Sequence, residues 1–322
     1  MPKFLVATLL FITVTSIPAF AWDDVGHKIT AYVAWQRMTP AARENAIRIL
    51  RAAPRDSDIA TYYIPYGPER DEVRKREYFE LISTWADIVR NFGMSPAERK
   101  VFDARYRTYH KGTWHYSDLF WKQIDGKVVL QDAPDEGGLA VKKLYEFDRV
   151  LRDPKQPDSE KAVALAWFMH LAGDIHQPLH TSARITDLEP KGDQGGNLFS
   201  LTPVGTPRDA QVNLHWYWDS IVGRNDALAG DECGRNYLED LADKFTKKYP
   251  FARFQSGLKI GDYDGWKKES FELNNTDVFS ALLRRNEMPS IKYRKNAYQI
   301  AQRQLVEAGY RMGETLNQIL GK

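Results

Sequence analysis

The segment His170-Leu-Ala-Gly-Asp174-Ile-His-Gln-Pro-Leu-His180 constrains the fold of this 322-residue chain more than any other feature. A histidine and an aspartate four residues apart lie on the same face of a helix. The segment His215-Trp-Tyr-Trp-Asp219 repeats this spacing farther along the chain. Each pair offers an imidazole nitrogen and a carboxylate oxygen to one ion, and such ligands suit zinc. The spacing therefore predicts a metal centre that is built on helices, with buried histidine–aspartate hydrogen bonds as the alternative.

The hydrophobic periodicity of the remaining chain predicts a mostly helical protein. Predicted helices span 24–37, 41–52, 69–90, 136–151, 159–176, 208–222, 231–247 and 290–319. Short strands are expected at 127–130 and 197–201, which could contribute a small β-hairpin. The linkers between these elements are short and no internal repeat is visible, so we expect an all-α fold with a single domain over 22–322.

The N-terminal segment 1–21 has the pattern of a secretory signal peptide. Lys3 precedes an uncharged run, and Ala19-Phe20-Ala21 provides the small residues of a cleavage site. The mature protein would then begin at Trp22, without a membrane segment, and be secreted or periplasmic. Because only one lysine precedes the run, an uncleaved anchor is the alternative.

Charge and cysteine content exclude several classes of protein. The formal net charge is only +2, so no strong basic field indicates a polyanion partner, although bound metal could make a site locally positive. Cys233 is the only cysteine, which excludes an internal disulfide and a four-cysteine zinc site. Stability must therefore come from the core and from any bound metal.

Six short motifs together resemble the zinc-dependent, single-strand-specific nucleases and 3′-nucleotidases of fungi, plants and bacteria. They occur in the family's order, and the tryptophan of the first directly follows the predicted cleavage site. The motifs are Trp22-Asp-Asp-Val-Gly26-His27, Trp85-Ala-Asp87, Trp114-His115-Tyr116-Ser-Asp118, His170 to His180, Gly195-Gly196-Asn197 and Asn213-Leu-His215-Trp-Tyr-Trp-Asp219.

The resemblance implies three zinc ions at the base of a cleft, with Asp174 bridging two of them. His110 and His176 have no role in the family pattern; His176 could orient a ligand through a hydrogen bond. The implied ligands are Asp87, His115, His170 and Asp174 for one ion, the α-amino group and carbonyl of Trp22 with His27 and Asp174 for a second, and His180, His215 and Asp219 for the third.

The resemblance also implies the reaction. Zinc lowers the pKa of bound water to about 7, so the family's hydroxide attacks phosphorus and releases 5′-nucleotides from single-stranded DNA and RNA, with 3′-nucleotidase activity besides. Asp87 could orient the nucleophile. Arg90 lies one helical turn after Asp87 and would stabilise charge on the phosphate.

The same resemblance places a nucleobase pocket after His115. Tyr116 would stack on a base, Asp118 would bind the base edge, and Asn197 would add a polar contact. The alternative for Tyr116 is core packing. The expected partners are thus single-stranded nucleic acid and 3′-nucleotides, and we expect a monomer without a stable protein partner.

Two departures and two rival functions accompany this interpretation. Asp23 stands where the family commonly has glycine, and the loop 181–196 is longer and more charged than in fungal members. A zinc phospholipase C would share the ligand pattern but typically ends it with glutamate, where this chain has Asp219. A non-catalytic zinc-binding export protein would need the ligands but not Arg90, Tyr116 and Asp118 together.

Overall fold

The computed structural model describes residues 22–65, 67–90, 104–134, 137–226 and 237–321, and it is mostly helical with one small sheet, as predicted. Within these ranges no helix is long and apolar enough to cross a membrane. The predicted signal peptide, Cys233 and the first residues of the helix predicted at 231–247 lie outside the described residues.

Eleven α-helices are described, and most of them match the predicted segments. A further helical segment spans 104–109. The helices are α1 (Asp24–Arg37), α2 (Pro40–Arg51), α3 (Asp71–Ile82), α4 (Trp85–Ile88), α5 (Ala140–Arg152), α6 (Asp158–Asp174), α7 (Leu214–Asp219), α8 (Ile221–Asn225), α9 (Tyr237–Lys248), α10 (Tyr263–Leu273) and α11 (Ile291–Leu320).

Helix α6 lies at the centre of the protein. Every residue from Ala164 to Asp174 is buried, so this part of the helix has no polar face toward solvent. Helix α1 packs on the long helix α11, where Gly309 lets the backbones approach: a Cβ atom there would lie 2.6 Å from Cβ of Val33. The buried centre places the histidine and aspartate of α6 inside the core.

The sheet has three short strands, β1 (Leu119–Ile124), β2 (Lys127–Leu130) and β3 (Ser182–Arg184), in the order β2-β1-β3. Strand β2, which was predicted, forms a hairpin with β1, which was not, and the turn residues Asp125 and Gly126 both have positive φ. Strand β3 runs parallel to β1. This pairing brings the chain after His115 beside the chain after His180.

Some sequence-based boundaries were wrong, and contacts distant in sequence explain the clearest case. The helix predicted at 69–90 ends at Ile82 and restarts at Trp85. The carbonyl oxygen of Ser83, in the break, accepts a hydrogen bond from Nδ1 of His170 at 2.8 Å. The strand predicted at 197–201 is mostly a turn with one bridge, Ser200 to Asn213. Periodicity did not indicate helix α10.

Candidate metal centre

Three groups of buried or half-buried histidine and aspartate side chains lie close enough to share metal ions. Within each group the potential ligand atoms lie within 4.8 Å of one another. All the side chains predicted as ligands fall into these groups; the remaining predicted ligand, Trp22, was predicted to bind through its main chain. The groups are His27, His170 and Asp174; Asp87, His115 and His170; and His180, His215 and Asp219.

Asp174 connects the first two groups because its two oxygens face different histidines. Its Oδ1 lies 3.2 Å from Nε2 of His27. Its Oδ2 lies 3.2 Å from Nδ1 of His115 and 3.3 Å from Nε2 of His170. A carboxylate has enough lone pairs to bind two ions at once. Asp174, at the end of α6, is therefore shared between the first two groups.

His170 is held rigidly at this junction. Its Nδ1 lies 2.8 Å from the carbonyl oxygen of Ser83, so its Nε2 faces the potential ligand atoms and lies 3.8 Å from Oδ2 of Asp87. Its ring also stacks on that of His27, with centroids 4.0 Å apart. A backbone acceptor on one ring nitrogen fixes the tautomer and leaves the other nitrogen for metal.

Asp87 and Arg90 extend from the same helical turn around α4. Nη1 of Arg90 lies 3.2 Å from Oδ1 of Asp87. Burial alone would raise the pKa of Asp87, but the charge of Arg90 and the neighbouring histidines hold that pKa below its usual value. Asp87 is thus kept ionised, with a guanidinium beside it.

In the third group, two imidazoles point their Nε2 atoms at one another. These atoms, in His180 and His215, lie 3.1 Å apart, and Oδ2 of Asp219 lies 3.5 Å from Nε2 of His215. Nδ1 of His215 lies 2.7 Å from the carbonyl oxygen of Gly195. Gln177, which sequence reasoning missed, donates to Oδ1 of Asp219 at 2.7 Å.

Unpaired buried atoms provide a test of whether these residues fit metal ions. Nδ1 of His27 and Nε2 of His115 make no hydrogen bond, and Nε2 of His27, Oδ1 of Asp87, Oδ1 of Asp174 and Oδ2 of Asp219 make none besides the close contacts with one another, Arg90 and His215 given above. Unpaired buried polar atoms are rare and costly. Burial lowers the pKa of His27 to about 4, so its ring is neutral and can ligate. The donor set therefore fits metal ions.

Trp22 lies at the edge of this cluster. Its side chain is fully buried, and its indole Nε1 donates to the carbonyl oxygen of Gly173 at 3.1 Å, next to Asp174. The following amide, of Asp23, donates to the carbonyl oxygen of Asp219 at 3.0 Å. The side chain of Asp23 caps α1 by accepting from the amide of Gly26. The chain thus passes close to Asp174 and Asp219 just before α1 begins.

The predicted base-binding residues Tyr116 and Asp118 lie between His115 and β1. The ring of Tyr116 is half-buried against Gly138, where an added Cβ would come within 2.4 Å of it. Asp118 lies near Lys267: burial lowers the pKa of that lysine, and the carboxylate opposes the shift. Sequence reasoning missed Gly138 and Lys267, which come from distant parts of the chain.

Asn197 braces the turn that supports the third group. Its Nδ2 donates to the carbonyl oxygen of Gln194 at 2.8 Å, and its Oδ1 lies 3.4 Å from Nδ2 of Asn213. Asn213 in turn caps α7 by accepting from the amide of Trp216. The side chain of Asn197 thus links the Gly195-Gly196 turn to the helix of His215.

His176 takes part in a buried network instead of contacting a potential ligand side chain. Its Nδ1 bonds to the carbonyl oxygen of Ala172, and its Nε2 lies 2.9 Å from Nη1 of Arg311. Gln304 donates to the main-chain oxygen of His176. Helix α11 therefore secures the turn between Asp174 and His180.

The sequence of the chain matches a known family of hydrolases over nearly all the described residues. The model of the S1/P1 nuclease family matches residues 22–321, and the chain belongs to that family. It is accordingly a nuclease, a hydrolase that acts on nucleic acids.

Curated relatives are distant in sequence. Nuclease PA3 of Penicillium sp is 23% identical over 252 residues, which cover 77% of this chain and 72% of the relative. Nuclease P1 of Penicillium citrinum is 23% identical over 62% of this chain and 58% of its own length. Endonuclease 2 of Arabidopsis thaliana is 21% identical over 93% of this chain and 91% of its own length.

Proposed function

We propose that this nuclease is an exported, zinc-dependent phosphodiesterase that cleaves single-stranded DNA and RNA to 5′-nucleotides and also hydrolyses 3′-nucleotides. The observation that carries the proposal is the position of Asp174. One of its oxygens faces His27, and the other faces His115 and His170. Such an arrangement supports two adjacent ions, with the group of His180 nearby for a third.

We assign three zinc ions to these residues. Nitrogen and oxygen donors suit zinc, and when bound, zinc acts as a Lewis acid and lowers the pKa of water to about 7. The proposed ligands are Asp87, His115, His170 and Asp174 for the first ion, the main chain of Trp22 with His27 and Asp174 for the second, and His180, His215 and Asp219 for the third.

Asp87, which is also a proposed zinc ligand, and Arg90 are the proposed catalytic residues. The guanidinium of Arg90 would contact the phosphate oxygens and stabilise the charge that develops there. The contact with Asp87 holds the guanidinium of Arg90 beside the proposed metal ligands before substrate binds. Asp87, which stays ionised beside Arg90, would accept a hydrogen bond from the attacking water and orient it.

Tyr116 and Asp118 are the proposed contacts for the nucleobase. A stacking face accepts any base, whereas bases in a duplex stay stacked on each other, so such a pocket selects single strands. The half-buried ring of Tyr116 against Gly138 supports this role, because the glycine leaves the ring room. Asn197, whose side chain is hydrogen-bonded within the turn, would contact the substrate from that position.

Export and chain organisation complete the proposal. We infer that segment 1–21 is removed as a signal peptide and that 22–322 forms one domain, which acts as a monomer outside the cytoplasm. The main support is the family match, which begins at Trp22. Removal at that point would free the α-amino group beside the buried centre.

A panel of four substrates tests the proposed activity. The mature, zinc-loaded protein is incubated with single-stranded DNA, RNA, a 3′-nucleotide and a phosphatidylcholine, and initial rates are compared with those on duplex DNA. We expect hydrolysis of the first three and little of the duplex or the lipid. Hydrolysis of phosphatidylcholine alone would identify a phospholipase C. Binding of zinc without hydrolysis of any substrate would identify a non-catalytic zinc-binding protein.

A further inference from the structure

A stacked pair of aromatic rings lies outside the three metal groups. Tyr106 lies within the helical segment 104–109 and His110 directly follows it; the ring centroids are 4.7 Å apart and the ring planes are at 21° to one another. Tyr106 is 37% exposed, whereas His110 is half-buried. The amide of His110 donates to the carbonyl oxygen of Tyr106, which fixes the spacing of the pair.

The helical segment that carries the pair is anchored to the same part of the fold as Asp87. The ring of Tyr109 packs edge-on against Trp85, the first residue of α4, with centroids 5.4 Å apart. Its hydroxyl donates to Asp56 at 2.9 Å. Arg105, which is buried, forms an ion pair with Asp58. These contacts fix the position of the stacked pair relative to helix α4.

The imidazole of His110 is close enough to the proposed catalytic residues for their charges to act on it. Burial lowers the pKa of His110, and the charge of Arg90 lowers it further. The charge of Asp87 raises the same pKa and so opposes both effects. Burial is the main cause that lowers the pKa of His115, and the charge of His110 lowers it a little further. The exposed tyrosine is thus held by a histidine that neighbours the proposed metal centre.

We propose that Tyr106, backed by His110, stacks on a second nucleobase of the single strand, next to the base assigned to Tyr116. This inference rests on the proposed function. A flat aromatic face suits any base. Arg107, which is exposed, directly follows Tyr106, and Lys111, which is partly exposed, directly follows His110, so this surface attracts the phosphate backbone. A ring that is already stacked from behind loses little freedom when a base covers its other face.

Oligonucleotide substrates with a missing base test this subsite. Each is a short single strand with one cleavable phosphodiester among phosphorothioate linkages. Its single abasic position lies on the 5′ side of that phosphodiester in one substrate and on the 3′ side in the other. In the wild type, an abasic residue at the Tyr106 subsite should lower kcat/KM about 5- to 150-fold. Tyr106→Ala should lower kcat/KM on the intact strand by a similar factor, mainly through KM, and should no longer respond to that abasic position.

Three controls separate stacking from a structural effect. Tyr106→Phe should behave as the wild type because the ring remains. Tyr145→Ala removes a tyrosine of similar exposure, 41%, from α5 and should change nothing. Hydrolysis of a 3′-mononucleotide, which has no second base, should be unaffected by Tyr106→Ala, and the zinc content should stay that of the wild type.

The outcomes for the subsite and for the proposed function are distinguishable. Affinity for a fully phosphorothioate single strand, measured by fluorescence anisotropy, reports binding without cleavage. If Tyr106→Ala matches the wild type in affinity and in abasic sensitivity, the subsite is refuted while the nuclease activity stands. If the wild type binds through Tyr106 but cleaves nothing, the proposed reaction fails and the subsite stands.

Discussion

Nδ1 of His180 lies 2.6 Å from the carbonyl oxygen of His115, so the backbone of one proposed metal ligand orients the imidazole of another. The amide of Ser117 returns the contact by donating to the carbonyl oxygen of His180 at 2.8 Å. The parallel pairing of β1 with β3 continues from these bonds. The group of Asp87, His115 and His170 and the group of His180, His215 and Asp219 are therefore parts of one hydrogen-bonded unit.

Gly195→Ala should remove the ion held by His180, His215 and Asp219. Gly195 has φ of +60°, and an added Cβ would lie 2.4 Å from the carbonyl oxygen of Leu179 and 3.1 Å from Nδ1 of His215. The turn must shift, and the imidazole would lose its backbone acceptor. Elemental analysis should find about two zinc ions per chain in place of three.

The matched control for this prediction is Gly205→Ala. Gly205 has φ of +91°, and no atom lies within 4 Å of an added Cβ. This variant therefore has the backbone strain of Gly195→Ala, about 1–2 kcal/mol, without its steric clash. This variant should keep three ions despite a lower melting temperature. Equal zinc contents in the two variants would show that Gly195 does not position His215.

An extra residue ahead of Trp22 should impair the enzyme. The α-amino group is a proposed ligand, and an amide nitrogen in its place cannot donate a lone pair to metal. A mature form with one additional N-terminal methionine should lose zinc and turn over more slowly than a form that starts at Trp22. A tag of similar size at the other end of the chain serves as the control. Normal turnover with the added methionine would refute the role.

Glu80 should make the stability of the protein depend on pH. Burial raises its pKa from 4.5 to about 8, against the opposing charge of Arg76 and with help from Glu239. The folded protein then keeps this proton while the unfolded chain releases it near pH 4.5. The free energy of unfolding should therefore fall as pH rises from about 4.5 to 8, by at most about 1.4 kcal/mol per pH unit.

Glu80→Gln cannot titrate and should lose less stability over this range. Urea unfolding at pH 5 and pH 8.5, with zinc at saturating concentration, measures the difference between variant and wild type. The exposed Glu272 provides the control substitution, Glu272→Gln, which should follow the wild type. Parallel pH dependence of Glu80→Gln and wild type would contradict the assigned titration.

Local patterns predicted most of the helices and the two histidine–aspartate pairs because both follow short periods along the chain, whereas the other candidate ligands were implied by the family resemblance. The spacing of His170 and Asp174 already places both on one face of α6. The break at Ser83 could not be predicted, since it depends on a hydrogen bond from His170, 87 residues away. Arg311 contacts His176 across 135 residues, and no local pattern indicates such a contact.

The central claim is that Asp174 bridges two of three zinc ions, and Asp174→Asn tests it most directly. Zinc per folded chain is measured by elemental analysis for the wild type, for this variant and for Asp24→Asn, which changes an exposed aspartate of α1. We predict three ions in the wild type and in Asp24→Asn, and no more than one in Asp174→Asn. Loss of a single ion from Asp174→Asn would contradict bridging.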